Sequence, residues 1–135
     1  MINRIGQMLF TISLVAIVLM GCSVIEDRTQ KIRDLPFTVV PEKEIPEVLA
    51  EKIQNNKGNP FKMTYADGGD LYICIGYGSR SSGGYSVTVD ELYLTSNAIY
   101  VDTTLLVPEG REEGVITYPY VCIKLEYLDK RVVFK

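Results

Sequence analysis

The chain has 135 residues, a net charge of −3, no histidine, no tryptophan and three cysteines. That length allows one domain with a modest core. Without histidine, Ser-His and Cys-His catalysis, the usual catalytic zinc sites and a pH switch near neutrality are excluded. Lys and Arg are interspersed among a larger number of acidic residues, so no basic stripe is available and nucleic acid is not an expected partner.

Arg4 precedes a mostly apolar run, residues 5–20, which is shorter than the roughly 20 residues a membrane-spanning helix needs. The run ends in Gly21, directly before Cys22. This is the layout of a signal peptide. Leu19-Met20-Gly21-Cys22 resembles the lipobox of bacterial lipoproteins, with Met20 in place of the usual Ala, Ser or Thr. The resemblance implies a signal peptide over 1–21, cleavage before Cys22 and a lipid-anchored, extracytoplasmic protein held at the cell membrane by acyl chains such as palmitate on Cys22. Acylation of the Cys22 thiol would also account for the odd cysteine count, leaving Cys74 and Cys122 as an even pair. The polar stretch 22–41 is expected to be a lipidated tether, with residues 37–40 able to add a short edge strand between Pro36 and Pro41. Residues 42–135 form the domain.

Residues 44–58 read as the one helix, with Pro46 in its first turn and Ile45, Val48, Leu49 and Ile53 on its buried face. Strands follow. Residues 61–66 and 71–78 flank Asp67-Gly68-Gly69-Asp70, a hairpin signal because both glycines accept positive φ. Residues 76–87 form a glycine- and serine-rich corner, in which Gly76-Tyr77-Gly78 and Gly83-Gly84 lack the following helix and lysine of a phosphate loop. The next strand, 85–94, changes phase: Val87 and Val89 share one parity, Leu92 and Leu94 the other. A β-bulge near Asp90 or Glu91 is predicted to keep both sets on the core side. Residues 100–107 make another strand, 108–114 a charged loop, and 115–127 the longest strand, which either restarts at Tyr120 or lies at an edge because Pro119 cannot donate to a ladder. Val132, Val133 and Phe134 end the chain as a short strand. The expected fold is mainly β with α+β character: a small antiparallel β-sandwich or barrel-like sheet with one packed helix.

Cys74 and Cys122 each fall inside an apolar strand, as core thiols or as a disulfide between neighbours; the core-thiol reading is preferred, and without histidine neither is expected to be catalytic. The carboxylates Asp67, Asp70, Asp90, Glu91, Glu109, Glu112 and Glu113 do not follow calcium-loop spacing and read as solvated, so no metal, cofactor or catalytic residue is expected. Nine tyrosines are more informative. Tyr72, Tyr77, Tyr85, Tyr118 and Tyr120 gather near the glycine corner, as core residues or as interaction anchors.

The order of these motifs, Gly83-Gly84-Tyr85-Ser86-Val87 and then Thr117-Tyr118-Pro119-Tyr120 leading into 121–125, resembles the C-terminal domain of the PrcB family, the protease complex subunit. The resemblance covers about residues 48–125. It implies a non-catalytic subunit or chaperone-like partner of an exported protease, with Gly83, Gly84, Tyr85, Ser86, Tyr118, Pro119 and Tyr120 as the partner-binding residues. The alternative is a lipoprotein that binds envelope glycan or a small ligand, with tyrosines stacked on sugar faces.

Overall fold

The computed structural model of the chain describes residues 30–110 and 113–135. The signal-peptide reading of 1–21 and the lipidation of Cys22 lie outside the described residues. Ten strands and one α-helix follow one another: β1 Arg33–Asp34, β2 Thr38–Val39, a 3-10 turn Glu42–Glu44, α1 Glu47–Asn56, β3 Pro60–Asp67, β4 Asp70–Tyr77, β5 Arg80–Ser82, β6 Ser86–Leu94, β7 Ala98–Leu106, β8 Glu113–Thr117, β9 Tyr120–Glu126 and β10 Arg131–Phe134. Among the described residues the fold is mainly β with one α-helix, as the sequence leads one to expect.

Two four-stranded sheets, β1-β6-β7-β10 and β2-β9-β4-β3, carry the domain, and β5 pairs with β8 in a separate ribbon. The sheets meet over a core that includes Leu71, Ile73 and Ile75 from β4, Val121, Ile123 and Leu125 from β9, and Leu92, Ile99 and Val101 from the first sheet. On the opposite face of the second sheet Tyr72, Cys74 and Cys122 meet Val40, Ile45, Leu49 and Ile53. Helix α1 thus forms a third layer. Strand β4 is covered on both faces, which is why 71–75 reads as an unbroken apolar run instead of alternating.

Local chemistry accounts for most of the joints. Asp67 pairs with Asp70 around Gly68 (φ 60) and Gly69 (φ 85), a two-residue turn with both central residues left-handed. The predicted bulge is at Asp90: Val89 pairs with Thr103 and Glu91 with Asp102, so the extra residue returns Leu92 and Leu94 to the core side. The Asp90 carboxylate accepts hydrogen bonds from the hydroxyls of Thr88 and Thr104. In α1, Leu49 and Ile53 are almost fully buried, each contributing roughly 1.5–3 kcal/mol by leaving water.

Five details differ from the sequence expectation. Val48 is exposed, because the 45-49-53 line faces the sheet and Val48 is turned to its flank. Residues 80–82, expected within a corner, form β5. The charged loop is shorter than 108–114, since β8 already begins at Glu113. Strand β10 runs parallel to β7, so the first sheet is not wholly antiparallel. The stretch expected as a tether also supplies β1, paired with β6, and buries Leu35 and Val40, while β2, paired with β9 at the edge of the second sheet, is the short edge strand expected within 37–40.

Candidate functional site

The glycine corner and the Tyr118-Pro119-Tyr120 step are joined by the β5-β8 ribbon. Arg80 pairs with Thr117 and Ser82 with Glu113, and the Thr117 hydroxyl donates to the Ser82 carbonyl at 2.6 Å. Tyr118 therefore leaves the ribbon at its Arg80 end, while Gly83 and Gly84 leave at the other. The two motifs share one element but are not side by side.

At the glycine end, Gly83 is buried and Gly84 is exposed with φ 89, a left-handed conformation that side chains disfavour. A Cβ on Gly84 would lie 2.9 Å from that of Pro108, so the chain closes here against the start of the loop after β7. Tyr85 is half-buried, with the Arg80 guanidinium 5.8 Å from its ring. Ser86 is exposed and opens β6 opposite Leu106.

At the other end, Tyr118 is exposed, with the Lys57 ammonium 4.5 Å from its ring centre. The Pro119 carbonyl accepts the backbone N–H of Tyr77 at 3.0 Å. Tyr120 is turned inward. It packs against the cluster beneath α1, with its ring 6.5 Å from that of Phe61. Burial, and then the charge of Glu42, hold its phenol above the ordinary tyrosine value. Of the Tyr118-Tyr120 pair, only Tyr118 faces outward.

Between the two ends β8 presents Val115 and Ile116, which is 66% exposed. Leu106 and Val107 are exposed nearby, beside Pro108. A strand of a two-stranded ribbon has little sheet to cover it, so neither face of β8 is sealed. Ile116 also lines an open cleft of about 400 Å3 with Ser79, Arg80, Ser81 and Tyr85. Arg80 donates to the Tyr77 carbonyl at 3.2 Å, and its buried Nε has no hydrogen-bond partner among the described residues. Val115, Ile116 and Arg80 were not among the candidates read from sequence. Two adjacent β-branched residues after a charged loop were the available signal, and assigning them to one long strand concealed it. Among the described residues no group of three Cys, Asp or Glu side chains could hold a metal ion.

Residues 71–126 match the family model described as PrcB C-terminal. That stretch is similar to the PrcB C-terminal family. It starts with β4 and ends with β9, the central strands of the second sheet, and includes both motifs and the ribbon between them. Helix α1 and β3 precede the matched segment in the chain and lie outside it, so the match is narrower than the resemblance read from the sequence. No curated protein and no solved structure matches the chain.

Proposed function

We propose that this chain is a membrane-anchored extracytoplasmic lipoprotein whose β domain is a non-catalytic module that binds or stabilises an exported protease. The PrcB C-terminal match over 71–126 is the observation that carries this reading. The lipobox-like Leu19-Met20-Gly21-Cys22 supports the anchor. The partner surface consists of the outward part of the two motifs, Gly84, Ser86 and Tyr118, together with the exposed Ile116 between them. Exposed apolar side chains rimmed by polar ones suit protein contact, and an aromatic residue there serves as an anchor. Gly83 is buried and Tyr120 packs into the cluster beneath α1, so neither is part of this surface.

The test is capture of partners from solubilised membranes by tagged full-length protein. An exported protease should be recovered with the natural chain and lost with Ile116→Asp or Tyr118→Ala, while circular dichroism shows both variants folded. Repeated recovery of no protease by folded protein counts against the reading. The anchor is checked independently, because Cys22→Ala should abolish acyl labelling and release the protein from the membrane fraction.

The cleft between Tyr85, Arg80 and Ile116 favours the second reading, a small ligand or glycan stacked on the tyrosine and hydrogen-bonded by the serines. Thermal-shift screening separates the two, since only this reading predicts stabilisation by a sugar.

A further inference from the structure

Cys74 and Cys122 stand directly opposite each other on β4 and β9, with their sulfur atoms 2.9 Å apart. Both side chains are buried beneath α1 among Val40, Leu49 and Ile53, and both are free thiols. Two backbone hydrogen bonds define the kind of site they occupy. Val40 N–H donates to the Cys122 carbonyl at 2.8 Å, and Tyr77 N–H donates to the Pro119 carbonyl at 3.0 Å. In an antiparallel ladder the N–H and C=O of one residue point to the same side, so Cys122 directs both toward β2 and away from β4. Counting two residues at a time from Tyr77 gives the same alternation. Cys74 and Cys122 therefore form a non-hydrogen-bonded pair, the class in which Cα atoms approach to about 4.5 Å and side chains lie closest. That spacing is within the roughly 4.4–6.8 Å over which a disulfide closes.

We propose that Cys74 and Cys122 form an intramolecular disulfide across the centre of the second sheet. The oxidant is a small-molecule disulfide such as oxidised glutathione. One cysteine thiolate attacks a sulfur of the reagent, expelling one reagent thiol and leaving a mixed disulfide on the protein. The second thiolate attacks the protein sulfur of that bond and expels the other reagent thiol. One reagent S–S bond and two protein S–H bonds become one protein S–S bond and two reagent S–H bonds, so the two electrons lost by the cysteines are gained by the reagent.

Burial determines when this happens. Both sulfur atoms are buried beneath α1, out of reach of a dissolved reagent, so the closed pair reacts slowly. The bond forms before α1 docks or while it is lifted. Once formed, it links residues 48 positions apart and encloses β5 to β8, including the entire proposed partner surface. It rests on the extracytoplasmic reading only for where the chain meets an oxidant.

The experiment incubates the full chain with oxidised glutathione over rising urea, blocks remaining thiols by alkylation, and maps the peptides by mass. The expected product is a linked pair of Cys74 and Cys122 peptides about 2 Da lighter than their reduced sum, for the two hydrogens lost. The unfolded oxidised chain should also migrate faster on a non-reducing gel, and Cys122→Ser should remove both signals. Alkylation or separate glutathione adducts of Cys74 and Cys122 at every urea concentration, or linkage through Cys22 instead, overturns the proposal. Location is read separately by cell fractionation and Cys22 acyl labelling, and a cytoplasmic chain would sink the anchor reading while leaving the bridge in the test tube intact.

Discussion

The backbone N–H of Tyr77 donates to the carbonyl oxygen of Pro119 at 3.0 Å, joining the end of β4 to the turn between β8 and β9. Pro119 has no N–H to offer in return. The ladder with β4 therefore continues through an acceptor alone, and β9 begins afresh at Tyr120 opposite Gly76. This bond ties the Tyr118-Pro119-Tyr120 step to the strand that enters the glycine corner. The two motifs are coupled through backbone as well as through the β5-β8 ribbon.

Gly76 allows Phe61 to lie over β4. A Cβ at this position would overlap the Phe61 ring, so Gly76→Ala forces the ring or the strand to move. The expected loss is about 1–3 kcal/mol, read from the urea midpoint at unchanged slope. Phe61→Leu in the same chain should recover part of it, because the two changes touch and are not additive. Full additivity would show that the strain is in the backbone.

Gly84→Val places a branched side chain at φ 89 and against Pro108. Strain of this kind costs about 1–3 kcal/mol, and Gly84→Ala should cost less than Gly84→Val. Arg80→Ala is expected to change stability by less than about 1 kcal/mol, since the partly exposed side chain makes one carbonyl hydrogen bond at 3.2 Å and its buried Nε makes none among the described residues. Thermal or urea unfolding of the three variants settles the order.

What could be read in advance was whatever a short window determines. The Asp67–Asp70 turn follows from two adjacent glycines, and the Asp90 bulge follows from a change of parity between Val89 and Leu92. The β5-β8 ribbon follows from neither. Arg80, Ser81 and Ser82 carry no strand signal of their own and become a strand only because β8, far along the chain, pairs with them. Likewise Arg33 and Asp34 look like solvated linker until β6 supplies the partner. The burial of Tyr120 and exposure of Tyr118 depend on where α1 sits, which sequence spacing does not specify.

Burial, then Glu42, raise the Tyr120 phenol above its ordinary value of about 10, so the folded chain keeps this proton after the unfolded chain has released it. The contribution to stability is whole below about pH 10 and is lost as pH rises through the higher folded value. Tyr120→Phe should therefore lose less stability than the natural chain between pH 9 and 11 in parallel urea titrations at about those pH values. Equal losses would show that Tyr120 does not report on the alkaline limb.

Deleting Asp90 tests whether the bulge is a correction of phase or a structural requirement. With Asp90 present, Val87 and Val89 reach the core on one parity and Leu92 and Leu94 on the other. Without it, β6 becomes a regular strand in which Val87, Val89, Leu92 and Leu94 all keep the same face, and pairing from Val89 with Thr103 runs on to Leu92 with Val101. The acceptor for Thr88 and Thr104 disappears, but both hydroxyls are near solvent and can turn to water. The deletion variant should thus fold, with a loss below about 2 kcal/mol in urea and an unchanged strand spectrum by circular dichroism. An unfolded variant would mean that the added twist at Asp90 is needed to bring the first sheet over the core, since the apolar pattern alone would then have proved insufficient.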